Sequence, residues 1–143
     1  MNDSDFLEQT IVLSEDAPPS ATAFAVGCVI VDPGGNVLAT GYSRELGEHW
    51  HAEEVALAKA AGVSLTDATL YSSLEPCSVR KSRPLSCTQL ILDAGIPRVV
   101  FAMREPPTFV DCCGAELLAA AGVEVVELPD YAARVRAVNR DLV

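Results

Sequence analysis

TLYSSLEPCSVRKSRPLSCTQLILDAGIPRVVFAM, which runs from Thr69 to Met103, decides the fold class. Thr69 to Leu74 reads as a strand, Cys87 to Ala94 as a helix and Arg98 to Met103 as a second strand. A helix between two strands makes them parallel neighbours joined by a right-handed crossover. The helix ends at Ala94-Gly95-Ile96, where glycine supplies the left-handed residue that closes a helix. Two further helices share that ending, at Ala61-Gly62-Val63 and Ala121-Gly122-Val123. Their unequal spacing marks them as punctuation of βα units and not as a solenoid repeat.

Working outward, Gly114 to Ala121 and Glu124 to Leu128 repeat the helix and strand, and a last helix covers Tyr131 to Asn139. Upstream, His51 to Ala61 is dense in Ala, Glu, Leu and Lys and reads as helix. Before it, Ala23 to Val31 and Val37 to Tyr42 flank the turn Asp32-Pro33-Gly34-Gly35, which makes a hairpin. Asp5 to Ser14 forms an opening helix, with Phe6, Gln9, Thr10 and Leu13 at helical spacing behind the candidate caps Asp3 and Ser4. Ala17-Pro18-Pro19-Ser20 ends it. The expected architecture is α/β: a three-layer α/β/α sandwich around a mixed sheet of about five strands, with an N-terminal hairpin and three parallel last strands.

The composition fits one compact domain over residues 1–143, with 50% hydrophobic and 21% charged residues. A chain of this length buries about 70% of its unfolded surface, so a core forms without disulfides. Apolar runs such as Ala21 to Val31 fall short of the roughly 20 residues that cross a bilayer, and the first residues lack a cationic signal, so a cytosolic protein without membrane partners is expected. The net charge of −10 repels phosphate backbones, which argues against nucleic acid and for a small-molecule substrate. Arg80, Lys81 and Arg83 form the one basic knot. Five cysteines in such a chain are expected to be reduced thiols.

Chemistry concentrates at His51-Ala52-Glu53-Glu54, at a helix start, and at Pro76-Cys77, after a strand, with Cys87 at the next helix start. One imidazole and two thiolates form a donor set that selects Zn²⁺, and three protein ligands leave a fourth tetrahedral position open to water. Helix N-termini favour the thiolate form of nearby cysteines. Glu53, two residues after the histidine, is spaced to act as a base beside the metal. His49 is a rival ligand, but it would leave Glu53 four residues away. Glu54 is turned by about 100° from Glu53 on a helix, which suits a solvated or salt-bridged role. Cys28 reads as a core residue, and Cys112 and Cys113 as packing or subunit contacts. Trp50, Phe24 and Phe109 are candidates either for stacking on a flat heterocycle or for the core. The basic knot reads equally as a solvated loop or a phosphate contact.

These residues resemble the zinc-dependent nucleobase deaminase superfamily, with its H-x-E and P-C-x-x-C signatures. The resemblance spans Ala23 to about Val126. It implies a cytidine-deaminase-like fold, His51, Cys77 and Cys87 as zinc ligands, Glu53 as proton shuttle, and the backbone N–H of Ala52 as a contact to the ring. Nine residues separate the two cysteines instead of two. That long spacer is similar to the deaminase domain of riboflavin biosynthesis, the diaminohydroxyphosphoribosylaminopyrimidine deaminases, as are Val26 to Val31, Gly41-Tyr42, His51 to Glu53 and Leu74 to Ser78. In this likeness Arg80, Lys81 and Arg83 would meet a substrate phosphate.

The chain departs from that family's usual pattern in four places. Ala23-Phe24-Ala25, Ser43 and Val79 stand where Asn-Pro-Asn and two histidines are usual, and the spacer is about one residue longer. The chain also ends where the bifunctional members begin a reductase domain. The resemblance implies hydrolytic deamination of an amino-substituted pyrimidine, with the metal activating water and Glu53 carrying protons, in a homodimer or homotetramer. Two alternatives stand beside it. One is a deaminase of another aminoheterocycle, such as cytidine, deoxycytidylate, a guanine-like base or a specialised metabolite. The other is a zinc-binding module without catalysis, which would have no need of Glu53.

Overall fold

The computed structural model describes residues 1–80 and 83–143. Its helices are α1 (Asp3–Ser14), α2 (Ala52–Lys59), α3 (Cys87–Ala94), α4 (Gly114–Ala120) and α5 (Ala132–Val138), the last preceded by a 3₁₀ turn at Pro129–Tyr131. Its strands are β1 (Gly27–Val31), β2 (Val37–Tyr42), β3 (Thr69–Leu74), β4 (Arg98–Met103) and β5 (Glu124–Glu127). They form one sheet in the order β2-β1-β3-β4-β5. The hairpin pairs antiparallel, β1 also runs antiparallel to β3, and β3, β4 and β5 run parallel. The sandwich and its three parallel last strands are as the sequence predicts.

Alternation along the strands builds two cores. Cys28, Ile30, Leu70 and Val99 face one way and pack with Ala52 and Ala56 of α2, Ile91 of α3 and Leu118 of α4. Val29, Val31, Tyr71 and Val100 face the other way and meet Phe6 of α1. Beside them Leu7 and Ile11 of α1 pack with Val135 of α5. The sheet is therefore covered on both faces, the condition under which parallel strands are stable. The interior position read for Cys28 is confirmed, and burial pushes its thiol well up. Gly62, Gly95 and Gly122 have φ of 86°, 74° and 92°, the left-handed conformation expected of them.

Several boundaries differ from the sequence reading, each for a physical reason. The first helix begins at Asp3 and not Asp5, because Asn2 is the cap: its Oδ1 accepts from Asp5 N–H at 3.1 Å while Asp5 Oδ2 accepts from Asn2 N–H at 2.9 Å. Asp3 is engaged elsewhere, holding Arg98 through both carboxylate oxygens at 2.9 and 2.7 Å and accepting from the Tyr71 hydroxyl at 2.6 Å. The strand expected from Ala23 starts only at Gly27, since the backbone of Ala25 bonds the side chain of Asn139 (N–H to Oδ1 2.7 Å, O from Nδ2 3.0 Å). The helix expected from His51 to Ala61 is shorter, with His51 as its extended N-cap and Ala60 as its C-cap. At the end of the chain Leu128 leaves the strand, and Pro129 opens a 3₁₀ turn that leads into α5, which starts at Ala132, one residue after the expected start. No helix among the described residues is long and apolar enough to cross a membrane.

Candidate active site

The carboxyl ends of β3 and β4 and the N-termini of α2 and α3 converge on one point. β3 ends at Leu74, and Pro76-Cys77 follow at once, so Cys77 sits where the chain leaves the sheet. Cys87 is the first residue of α3, capped by Ser86, whose Oγ accepts from Gln89 N–H at 3.1 Å. Two backbone contacts lock the cysteines together: Cys87 N–H donates to Cys77 Sγ at 3.2 Å, and Thr88 N–H donates to Cys77 O at 3.0 Å. His51, the N-cap of α2, brings Nδ1 to 3.6 Å from Cys77 Sγ and 3.4 Å from Cys87 Sγ.

That geometry passes a fit test for zinc. With Zn–N near 2.0 Å and Zn–S near 2.3 Å, tetrahedral donors lie about 3.6 Å apart for an N and S pair. All three donor atoms lie within 4.8 Å of one another. This is the one His, Cys and carboxylate cluster of metal-binding geometry among the described residues. The rival His49 is exposed and outside it.

Electrostatics at the triad follow from close packing of groups that each favour a different charge state. The hydrogen bond from the Cys87 thiol, with His51 beside it, holds Cys77 down at about 4 against its burial. Donating that bond, and being buried, pushes Cys87 well up. Burial opposes a charged His51, but the hydrogen bond and charge of Cys77 outweigh it and raise the imidazole. Such a set favours a cation at its centre.

Glu53 is 3% exposed, and burial, with the Cys77 charge, pushes its carboxyl up to about 7. The Ser72 hydroxyl lies 3.3 Å from Glu53 Oε1 and 2.7 Å from Leu74 O. Its single hydrogen goes to the nearer oxygen, so the contact to Glu53 is best made when the carboxyl brings its own proton. A carboxyl poised near neutrality beside three side chains of metal-binding geometry is suited to carrying protons.

A cavity of about 560 Å³ opens on this group, lined by His51, Ala52, Glu53, Cys77 and Arg80 and walled by Phe24, Trp50 and Phe109. Ala52 is the first helical residue of α2, so its N–H has no partner within the helix. The rings of Phe24 and Phe109 meet at a centroid distance of 5.1 Å, tilted by 59°.

The basic knot divides. The Arg80 side chain is 3% exposed; Nη2 donates to His49 O at 2.6 Å and to Glu54 Oε1 at 3.2 Å, while Nε and Nη1 are buried with no partner among the described residues. Arg83 does not line the cavity; its Nε is 3.4 Å from Glu54 Oε2 and its guanidinium lies over Trp50 at 5.1 Å. Lys81 lies outside the described residues. Glu54 is thus salt-bridged, as its helical phase suggests.

Two groups at the site escaped the sequence reading. Glu75 is buried, and its carboxylate accepts from Glu105 N–H at 3.1 Å and Ala115 N–H at 2.9 Å. Glu105 lines the cavity, and burial pushes it up to about 7, the charges of Cys77 and Glu53 adding to the effect. Both residues stand in a Glu-Pro pair just past a parallel strand, where ligands gather in α/β sheets; that repetition was the available signal. Cys112 and Cys113 brace the ligand loop, through a Cys112 Sγ contact to Pro76 O at 3.3 Å and a Cys113 N–H bond to Ser78 Oγ at 2.9 Å.

Comparison with known proteins agrees with this geometry. Residues 1–103 match the family described as the cytidine and deoxycytidylate deaminase zinc-binding region. A diaminohydroxyphosphoribosylamino-pyrimidine deaminase of Schizosaccharomyces pombe is 40% identical over 130 residues, covering 88% of this chain and 32% of that protein. The chain spans about a third of the length of such curated relatives. Among solved structures, RibD of Acinetobacter baumannii matches with a TM-score of 0.84 at 29% identity, over 96% of this chain and 38% of that one. The Rib2 deaminase of Aspergillus oryzae, as a C-terminal deletion mutant in complex with DARIPP, matches with a TM-score of 0.75 at 27% identity, over 98% and 99% of the two chains.

Proposed function

This chain belongs to the family of the cytidine and deoxycytidylate deaminase zinc-binding region, and from that premise we propose that it is a zinc-dependent hydrolytic deaminase of the phosphorylated diaminopyrimidine of riboflavin biosynthesis. The observation that carries the reading is the position of His51 Nδ1, 3.6 and 3.4 Å from the sulfurs of Cys77 and Cys87, in the cavity that also holds the buried Glu53. The S. pombe relative is named for such a deaminase and the A. oryzae Rib2 deaminase is seen in complex with DARIPP, which favours this substrate over a cytosine nucleotide or a guanine-like base.

His51, Cys77 and Cys87 hold zinc in this reading, and zinc supplies Lewis acidity that makes water a nucleophile near neutral pH. Glu53 would take a proton from the attacking water and pass it to a ring nitrogen, then take the remaining proton of the hydroxyl added to the ring carbon and hand it to the departing amine, a task suited to a carboxyl near 7. The Ala52 N–H holds a polar group of the ring. Phe24, Trp50 and Phe109 form an apolar wall that stacks on it and excludes bulk water. Arg80 offers the buried Nε and Nη1 to the substrate phosphate, while Glu54 keeps Arg83 oriented at the rim. A homodimer or homotetramer completes the proposal, with light scattering as its check.

The test supplies purified protein with DARIPP and with the ribosyl form of the same diaminopyrimidine and measures ammonia release. Turnover is expected with one zinc per chain. Glu53→Gln should keep the zinc and lose turnover. Activity surviving in that variant, or stoichiometric zinc with no turnover of either substrate by the wild type, would refute the reading.

A further inference from the structure

The cavity wall carries several charged side chains, and nearly all the buried ones are bonded within the protein. Arg44 donates from Nε and Nη2 to Pro18 O at 3.0 and 2.6 Å. Arg80 is bound through Nη2 to His49 and Glu54, leaving the Nε and Nη1 assigned above to the phosphate; Glu75 receives two backbone N–H groups, and Glu53 meets Ser72. Glu105 is different. It is half-buried and lines the cavity, yet its carboxylate has no hydrogen bond or ion pair among the described residues. Its acidic neighbours Glu53 and Glu75 offer it no compensation.

The position is nevertheless rigid. Glu105 N–H is anchored on Glu75 Oε1 at 3.1 Å, the other Glu75 oxygen is anchored on Ala115 N–H at 2.9 Å, and Pro106 and Pro107 fix the backbone that follows. A carboxyl held in place on the cavity wall without protein donors is free to take them from a ligand.

We propose that Glu105 is the specificity-determining residue of this cavity, accepting hydrogen bonds from ring amino and N–H groups other than the amine that is removed. The inference rests on the deaminase reading and deepens it. N–H donors favour the ionised form of this carboxyl, and in that form it offers two adjacent acceptors and no donor, so it matches a heterocycle edge rich in N–H. The same carboxylate would face the carbonyl of a cytosine ring lone pair to lone pair and repel it, which supplies discrimination against that class. Glu75 is the positioning residue that aims it, acting through the backbone of Glu105 and touching no substrate.

The experiment compares two substrates in the zinc-loaded protein: the phosphorylated diaminopyrimidine, and an analogue in which hydrogen replaces the ring amino group that is not removed. In the wild type, kcat/KM should favour the first by about 10- to 100-fold, mostly through KM, the range of a lost bond to a charged group. In Glu105→Ala that preference should collapse to within about threefold. Glu105→Gln, which keeps one acceptor without the charge, should fall between. The ratio of the two kcat/KM values does not depend on how much protein is folded or loaded, so a partly unstable variant still gives an answer. An unchanged ratio in Glu105→Ala overturns the role of Glu105. Turnover of neither substrate by the wild type, with zinc bound, refutes instead the deaminase reading beneath it.

Discussion

Replacing Gly114 by alanine tests how rigidly the fold holds its metal ligands. Gly114 is the first residue of α4, and a Cβ built there would lie 2.0 Å from Pro76 O and 2.8 Å from Thr88 Oγ1. Relief to the 3.0 Å below which real Cβ contacts essentially never fall opens that gap by about 1 Å, a cost in the overpacking range of about 1–3 kcal/mol. The helix cannot yield cheaply: Ala115 and Leu118 are buried, and the Glu75 carboxylate holds Ala115 N–H. The strain therefore falls on Pro76, next to Cys77, whereas metal sites tolerate ligand displacements of only about 0.2 Å. Gly114→Ala is expected to lose zinc affinity by about 10- to 100-fold, with Leu117→Ala, on the exposed face of the same helix, as the control. Dialysis against graded chelator followed by metal analysis measures the loss, and a thermal melt reports the fold. A Gly114→Ala protein that melts normally and keeps its zinc at the chelator concentration the wild type withstands would show that the ligand loop is not fixed by α4.

Other perturbations follow from single contacts. The hydrogen bond from Arg98, with that from Tyr71, holds the Asp3 carboxyl below its ordinary value. Its unfolded form therefore binds the proton first as pH falls; the stabilisation is present above about pH 4 and is lost as pH drops through the lower folded value. Urea unfolding should show wild type more stable than Asp3→Asn at neutral pH, with the difference shrinking below pH 4; a difference constant to pH 2.5 would contradict this. Asn139→Ala removes the amide that bonds both N–H and O of Ala25, and steady-state kinetics should show a raised KM with kcat changed little, because the Phe24 wall loosens while the triad stays intact. Ile91→Ala empties a fully buried site between α3 and the sheet and should destabilise the protein by about 2–5 kcal/mol in denaturant titration.

The elements legible in the sequence were those whose pattern is local. The strands from Thr69 and Arg98 and the helix from Cys87 have the bounds the sequence predicts, and the three left-handed glycines sit where the helices stop. Ala23 to Val26 was misread as strand because its backbone is satisfied by Asn139, 114 positions away from Ala25, and by the Ser43 hydroxyl on Val26 N–H. No local pattern encodes such a partner. Likewise His51, Cys77 and Cys87 stand out because they are rare residue types placed at element ends, and Glu53 only through its spacing from His51. Glu75 and Glu105 were hidden among 20 acidic residues, since nothing in a strand's period distinguishes a solvated carboxylate from one that anchors a backbone amide. The placement of the basic knot was only partly legible: that Glu54 would draw Arg83 away from the cavity depends on the α2 helical phase and on Trp50 beneath the guanidinium.

The two contacts that bind Cys87 and Thr88 to Cys77 separate the fate of the metal centre from that of the segment between the cysteines. Because each sulfur is fixed by its own strand or helix, stretching the intervening segment from two residues to nine adds only about 1.3 kcal/mol of closure entropy. A spacer grafted between the two cysteines would therefore change the Arg80 contacts to His49 and Glu54 at the cavity rim while leaving the two sulfurs where the fold holds them.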